Sequence, residues 1–126
     1  MYEYKCTLIR VIDADSCKAI VHLGFNIALT NETIRFYGID TPESRINIKK
    51  YPERIPEKEL GLKAKARLKE ILPKKFIIRT QKPESRGKFG RVLGTVWTLD
   101  NVNICEQLII EGLAKSYYGG RKQSWI

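Results

Sequence analysis

The chain has 126 residues, of which 43% are hydrophobic and 29% charged, so a disordered or fibrous protein is excluded and one domain with its own core is expected. Its 23 lysines and arginines against 14 acidic residues give a formal net charge of +9, which indicates an anionic partner such as nucleic acid. Residues 1–48 carry 5 basic and 6 acidic side chains whereas residues 49–126 carry 18 and 8, so an early acidic cluster coexists with a later basic surface.

The first residues, MYEYKCTLIRVIDADS, contain no long apolar stretch after a basic start, so neither a signal peptide nor a membrane span is expected. We therefore predict a cytoplasmic protein without membrane contact, and leave open export from a longer precursor. Cys6, Cys17 and Cys105 form no close pair, which argues against a disulfide framework and a zinc site. We expect these three thiols to be reduced and buried.

Three strands are predicted in the first third of the chain. Residues 4–12 and 17–23 are rich in Val, Ile, Leu, Thr and Tyr, and the intervening DADS favours a turn. The third strand is expected over residues 33–39, after turn material that comprises Gly24, Asn26 and Asn31.

A long loop and a helix are predicted next. Residues 44–56 are polar, which is typical of an exposed and often functional loop, and their cations include Lys49, Lys50 and Arg54. Helix formers fill residues 57–72, with Pro56 suited to the first turn and Pro73 to the end. The stripe expected to face the core comprises Leu60, Ala64, Leu68, Ile71 and Leu72.

The remaining elements are two strands and a short helix. The strands are predicted over residues 76–80 and 91–98, joined by the basic segment QKPESRGKFG. Asn103 followed by Glu106 resembles a capping box, and Gly112 is the expected left-handed stop of that helix. Five strands with a helix between the third and fourth predict a β-rich α+β fold: a five-stranded OB-type Greek-key barrel with two to three helices, formed by the whole chain as a single domain.

Four carboxylates are expected to converge at one end of this barrel. Asp13 and Asp15 occupy the first turn, and Asp40 and Glu43 follow the third strand. Such a pocket repels itself unless a cation occupies it, and oxygen ligands favour Ca²⁺ or Mg²⁺ over zinc or copper. Any one of these acids, considered alone, is more simply interpreted as a turn residue than as a metal ligand.

Two arginines complete the constellation. Arg35 alternates with Ile34 and Phe36 in the third strand, and Arg91 begins the fifth. A phosphodiester gains a second negative charge in its transition state, and a guanidinium group can hold two of its oxygens. Carboxylates for a metal and arginines for a phosphate predict a phosphodiesterase site, although a lone strand arginine is usually a surface residue.

These pieces together resemble the staphylococcal-nuclease-like (thermonuclease) domain. VIDADS is similar to that family's V-D-G-D-[TS] turn, IRFYGIDTPE to its [IF]-R-L-x-G-[IV]-D-[AT]-P-E segment, and KFGR to its K-Y-G-R. EQLIIEGLAKSYY is similar to its terminal helix with trailing tyrosines. Any single piece is a weak signal, but the four occur in the family's order over about residues 8–118.

The resemblance implies a role for each matching position. Asp15 and Asp40 would bind Ca²⁺ through carboxylates and Thr41 through its carbonyl, while Asp13 would support these ligands without touching the metal. Arg35 and Arg91 would hold the phosphate and stabilise the developing charge. Glu43 would be the general base, directly or by orienting the attacking water. The implied reaction is hydrolysis of the P–O5′ bond of DNA and RNA, which leaves 3′-phosphates.

Nucleic-acid contacts are also implied by the resemblance. Phe89 stands where the archetype has Tyr, so base stacking is retained and a hydroxyl is lost. Tyr118 with Tyr117 is the second aromatic position, although the pair could equally fill the barrel mouth. Lys49, Lys50 and Lys88 are expected to attract the backbone of single-stranded DNA, duplex DNA or RNA without reading sequence. We expect a monomer that needs no protein partner.

Two departures from the family pattern bear on the site. Ala14 replaces a common glycine, which is costly only if that position requires a positive φ. The chain also ends where the archetype continues into another helix.

Two other functions are possible for such a chain. The main alternative to an enzyme is a nuclease-like barrel that binds nucleic acid or protein without cutting. The third hypothesis is a plain single-strand-binding OB domain, but such a domain needs no acids at Asp15, Asp40 and Glu43.

Overall fold

A five-stranded barrel with two α-helices is seen in the computed structural model, which describes residues 2–82, 85–87, 90–122 and 124–125. The elements in chain order are β1 (Tyr2–Asp13), β2 (Ser16–Gly24), β3 (Ile27–Phe36), β4 (Ile39–Asp40), a 3₁₀ turn (Pro52–Arg54), α1 (Ile55–Ile71), β5 (Lys75–Thr80), β6 (Val92–Trp97), α2 (Ile104–Ile110) and β7 (Lys115–Ser116). The closed order β1-β2-β3-β6-β5 is that of an OB-type barrel, which confirms the predicted fold class.

All neighbouring barrel strands are antiparallel except β3 and β6, which run parallel. The short strands β4 and β7 form a separate antiparallel pair. Helix α1 lies between β3 and β5 in the chain, which are the third and fourth strands of the barrel, as predicted. One end of the barrel thus gathers the β1–β2 turn, the end of β3, the start of β6 and the β4–β7 pair.

The third strand differs from its prediction at both ends. It begins at Ile27 rather than at residue 33, because a tight turn with positive φ at Gly24, Phe25 and Asn26 closes the β2–β3 hairpin early. Asn31, predicted to be turn material, therefore lies within β3. The strand stops at Phe36, before Gly38 with a φ of +86°, and the chain resumes as β4.

Helix α1 begins two residues earlier than predicted, and its buried face also differs. Ala64 and Leu68 are buried as expected, but Leu60 is 36% exposed and Gly61 is buried in its place. The core-facing positions are thus 61, 64, 68 and 72, whose spacing of three and four residues matches a helix. Helix α2 is capped as predicted: Asn103 Oδ1 accepts from the Glu106 N–H at 3.1 Å, and Gly112 follows with φ +76°.

The three cysteines are free and buried, which confirms the prediction. They pack within the apolar core formed inside the barrel and beneath both helices. Burial raises the pKa of the Cys6 and Cys17 thiols to about 12 and that of Cys105 to about 11. Nothing among the described helices combines the length and apolarity that crossing a membrane requires.

Candidate active site

A polar cleft of about 340 Å³ opens at the end of the barrel where these strands meet, and we call it the acidic cleft. Its lining includes the acids, arginines and threonine that sequence analysis placed in one site. The complete lining is Asp13, Asp15, Ser16, Arg35, Asp40, Thr41, Glu43, Arg45, Arg91 and Lys122.

Strand pairing explains how distant residues enter this cleft. Ser16 of β2 lies opposite Arg35 of β3, and the Asp15 carbonyl accepts from the Phe36 N–H at 2.8 Å. On the other side of β3, Ile34 is paired in parallel with Val92. Arg91, the residue before Val92, is thereby placed near Arg35.

Arg35 is held in place by several acceptors. Its Nη1 donates to the Phe36 carbonyl at 2.6 Å and its Nη2 to the Ile39 carbonyl at 2.8 Å. The same guanidinium pairs with the Asp15 carboxylate at 3.5 Å, and its side chain is 15% exposed. Arg35 is therefore a fixed, largely buried cation rather than a solvated surface residue.

Asp15 is largely buried beside this arginine. Burial raises the pKa of the Asp15 carboxyl above its ordinary value, and the negative charges of Asp13 and Asp40 raise it further. The Arg35 charge and a hydrogen bond from Thr41 act in the opposite direction. The net rise means that the ionised form is disfavoured by the protein alone, and a bound cation would favour it.

Residues from the C-terminal segment contact Asp40. Strand β4 pairs Asp40 with Lys115 of β7, and the Asp40 side chain is 8% exposed. Lys122 Nζ lies 3.3 Å from one carboxylate oxygen and Trp125 Nε1 donates to the other at 3.2 Å. A side-chain ammonium thus occupies a position beside Asp40 that a metal cation could also take.

Asp13 is engaged differently from the other acids. Its two carboxylate oxygens accept from the Ser44 hydroxyl and, at 3.2 Å, from Arg45 Nε. Asp13 therefore ties the β1–β2 turn to the segment that follows Glu43.

Glu43 lies at the rim of the acidic cleft and its side chain is 61% exposed. Arg54 Nη2 lies 3.4 Å from Glu43 Oε2 and also contacts Glu57 at 3.0 Å. The Glu43 N–H donates to Glu57 Oε2 at 3.4 Å. Glu43 thus faces the cleft while it is linked to the start of α1.

The donor set fits an oxygen-seeking cation such as Ca²⁺. The carboxylates of Asp15 and Asp40 and the residue Thr41 line one cleft, and Asp15 is destabilised as an anion. Within the described part of the chain, no three acidic, histidine or cysteine side chains form a metal cluster by themselves.

A second cleft, of about 210 Å³, lies beside the first, and Arg35 lines both. We call it the tyrosine cleft. Tyr37 and Tyr118 meet edge to face with ring centroids 5.4 Å apart, and Tyr118 is 74% exposed. Its complete lining is Arg35, Phe36, Tyr37, Gly38, Ile39, Leu93, Tyr117, Tyr118 and Gly119.

Among the other predicted nucleic-acid contacts, Tyr117 lines the tyrosine cleft and the two described lysines line neither cleft. Lys49 and Lys50 lie on an exposed turn and line neither of them. Lys88 and Phe89 lie outside the described residues. Tyr117 is held by its backbone, whose N–H donates to the Gly38 carbonyl at 2.8 Å.

Ala14 is compatible with the turn in which it stands. Among the described non-glycine residues, positive φ occurs at Phe25, Asn26 and Asn101, so Ala14 needs no left-handed backbone. Its side chain is fully buried.

Several residues of the site were missed by sequence reasoning. Ser44 and Arg45 had a local signal, because they directly follow Glu43 in a segment expected to be functional. Glu57 had none, since it lies in the predicted helix and only the fold brings it to Glu43. Lys122 and Trp125 had none, since only the β4–β7 pairing brings them to Asp40.

The family profile described as "Staphylococcal nuclease homologue" matches residues 33–124, which is most of the chain. The chain belongs to that family. It is also 31% identical over 117 residues to Endonuclease YhcR of Bacillus subtilis (strain 168). The matched segment covers 92% of this chain but only 9% of the Bacillus protein. The two share a nuclease-like domain, and most of the relative has no counterpart here.

Proposed function

We propose that this nuclease-family domain is a Ca²⁺-dependent phosphodiesterase that hydrolyses the P–O5′ bond of DNA and RNA and leaves 3′-phosphates. The observation that carries the proposal is the shared lining of one cleft by Asp15, Asp40, Glu43, Arg35 and Arg91. The name of the Bacillus relative, an endonuclease, agrees with it.

Asp15, Asp40 and Thr41 would hold Ca²⁺. When bound, the ion supplies charge neutralisation at the phosphate and a site that orients water. The protein's own part is to keep these two carboxylates in largely buried positions. For Asp15, burial makes the negative charge costly unless a cation is bound.

Arg35 and Arg91 bind the phosphate. Two short hydrogen bonds to backbone carbonyls fix the Arg35 guanidinium, and its longer contacts with Asp15, at 3.5 Å, can be exchanged for phosphate oxygens. Because the guanidinium is already oriented, little reorganisation is needed when negative charge develops in the transition state.

Glu43 accepts or directs the proton of the attacking water. Its exposed carboxylate at the rim of the cleft can reach solvent, unlike Asp15 or Asp40. The separation of roles follows from environment: the buried acids suit a cation and the exposed acid suits proton transfer.

The substrate approaches as a polyanion. The net charge of +9 and the exposed Lys49 and Lys50 favour binding of the phosphate backbone, which weakens with salt. No element of the described fold is shaped to enter a groove and read base edges, so we infer cleavage of low sequence specificity, by a monomer.

The test is release of acid-soluble nucleotides from heat-denatured DNA, in Ca²⁺ and in chelator, with an RNA substrate in parallel. Arg91→Ala is prepared identically to exclude a contaminating nuclease. Arg10→Ala is the matched control, because Arg10 is an exposed arginine of β1 outside the acidic cleft. Analysis of the product ends for 3′-phosphate checks which bond breaks.

Ca²⁺-dependent release that is lost in Arg91→Ala and kept in Arg10→Ala would support the proposal. A folded protein that binds single-stranded DNA but releases no nucleotides over a range of Ca²⁺ and pH would overturn it, and would favour a binding module.

A further inference from the structure

Helix α1 contacts the backbone of Glu43 directly at Gly61. A side-chain carbon built on Gly61 would collide with the carbonyl carbon and oxygen of Glu43, and would lie 2.7 Å from the Ser44 nitrogen. Real side-chain carbons essentially never come within 3.0 Å of such atoms, and backbone cannot move aside as a flexible side chain can. The Glu43 peptide therefore occupies space that is available only because residue 61 is glycine.

Glu57 adds a second contact from the same helix, one turn before Gly61. Its carboxylate accepts from the Glu43 N–H at 3.4 Å. It also accepts two hydrogen bonds from Arg54 Nη2, at 3.0 and 3.1 Å, which hold the Glu57 carboxylate in place. Positions 57 and 61 are four residues apart and thus lie on one face of α1.

On the side away from α1, residues 43–45 are held by Asp13. Its carboxylate accepts from the Ser44 hydroxyl and from Arg45 Nε, and Ser44 is 4% exposed. Residues 43–45 are thus fixed between the β1–β2 turn, which carries Asp15, and the first half of α1. The exposed Glu43 side chain projects from a rigid backbone.

We propose that Gly61 and Glu57 are positioning residues for Glu43, which hold its backbone so that its carboxylate stays at the rim of the acidic cleft. This inference rests on the proposed function, because it concerns the proton transfer assigned to Glu43. Neither residue lines the acidic cleft. Their effect on the reaction passes through Glu43 alone.

Gly61→Ala tests the inference, because a methyl group suffices to displace the Glu43 peptide. Alanine also favours helix, so α1 itself is not weakened by its backbone preference. Displacement of a reacting group by about 1 Å can cost about a hundredfold in rate, so we expect kcat to fall ten- to hundredfold. KM and Ca²⁺ affinity should stay within twofold of wild type, since Arg35, Asp15 and Asp40 are untouched.

The decisive comparison is made in a Glu43→Ala background. If Gly61 acts through Glu43, Gly61→Ala causes no further loss of kcat once the carboxylate is gone. A general structural defect would instead lower kcat by the same factor in both backgrounds. Equal losses in the two backgrounds would overturn the inference, as would full activity of Gly61→Ala.

Glu57→Ala is the second variant, in case Gly61→Ala fails to fold. It should lower kcat several-fold with KM unchanged, and again only when Glu43 is present. Leu62→Ala is the control, because Leu62 is an exposed residue of α1 beside Gly61. A folded Glu57→Ala with wild-type kcat would contradict the assignment of Glu57.

Amide NMR spectra provide a readout that does not depend on catalysis. Gly61→Ala should shift the Glu43 and Ser44 amide resonances and leave those of the barrel interior, such as Ala19 and Val96, unchanged. Unshifted Glu43 and Ser44 resonances would overturn the inference. If the wild type hydrolyses no substrate, the proposed function is overturned, and so is the catalytic role of the contact between Gly61 and Glu43. The NMR spectra would still report whether that contact exists.

Discussion

The acidic cleft and the tyrosine cleft lie side by side, but they are built in different ways. In the acidic cleft, charged side chains from five separate parts of the chain are balanced against one another. The tyrosine cleft is mostly apolar and is formed by two short segments, residues 35–39 and 117–119, together with Leu93. Arg35 is common to both. This difference suggests a division of labour, in which one cleft acts on the phosphate and the other holds the adjoining nucleotide.

Loss of the shared arginine is expected to have the largest effect. Arg35→Ala should lower kcat about 10²- to 10³-fold, as removal of a preorganised donor to a transition state does. It should also lower the free energy of unfolding by about 1–3 kcal/mol, because the Phe36 and Ile39 carbonyls lose their donor. Steady-state kinetics and urea unfolding measure the two effects. Wild-type kcat in a folded Arg35→Ala protein would remove Arg35 from the mechanism.

Tyr118→Ala separates the two clefts. Stacking of a base on an aromatic ring contributes about 1–3 kcal/mol, so KM for single-stranded DNA should rise about fivefold or more. The kcat value should not change, because Tyr118 does not line the acidic cleft. Tyr2→Ala is the control, since Tyr2 is a partly exposed tyrosine outside both clefts. A fall in kcat with constant KM would contradict the division of labour.

The two clefts also differ in how far the sequence predicts them. The barrel order, the helix between the third and fourth strands and the capped α2 follow from residue periodicity and turn chemistry, which act locally. The acids at Asp13, Asp15, Asp40 and Glu43 were placed together because strand ends of one barrel meet. The pairing of β4 with β7 was not predictable, since two-residue strands carry no periodic signal.

Helix α1 shows a second limit of sequence reasoning. Hydrophobicity favoured Leu60 for the core-facing stripe, but Gly61 holds that position because the Glu43 backbone occupies the space where a side chain would lie. A glycine within a helix is usually interpreted as a weakness. Here its reason lies eighteen residues earlier in the chain, and only the structure reveals it.

Asp15→Asn tests whether the buried charge of Asp15 destabilises the folded protein when no cation is bound. Because burial raises the pKa of Asp15, its ionised form is penalised in the folded protein at pH values above that pKa. In chelator, Asp15→Asn should therefore raise the free energy of unfolding, by about 1 kcal/mol. This difference in the free energy of unfolding between the variant and the wild type should shrink as the pH falls through the pKa of Asp15, because the wild-type carboxyl then becomes protonated and neutral.

Added Ca²⁺ should reverse this order, because it stabilises the wild type and not the variant. Urea unfolding in chelator and in Ca²⁺, at neutral and acid pH, measures both effects. Asp100→Asn is the control, since Asp100 is exposed on a turn far along the chain. A variant less stable than wild type in chelator would show that the Arg35 pair outweighs the burial of Asp15.

Lys122→Met should have the smallest effect, and it concerns a contact that would oppose metal binding. Lys122 Nζ lies 3.3 Å from Asp40 and is 55% exposed, so the pair contributes about 0.2–1 kcal/mol. A cation that binds Asp40 must displace this ammonium. Its removal should therefore tighten Ca²⁺ binding by about the same free energy, roughly one-and-a-half- to fivefold.

Terbium luminescence sensitised by Trp125, whose indole donates to Asp40, measures this affinity and its competition by Ca²⁺. Lys69→Met is the control, because Lys69 is exposed on α1 and its loss changes the net charge equally. If both variants bind Ca²⁺ alike, the effect is one of overall charge. Weaker binding by Lys122→Met alone would mean that the ammonium orients Asp40 for the metal rather than competing with it, and the end of the chain would then belong to the metal site.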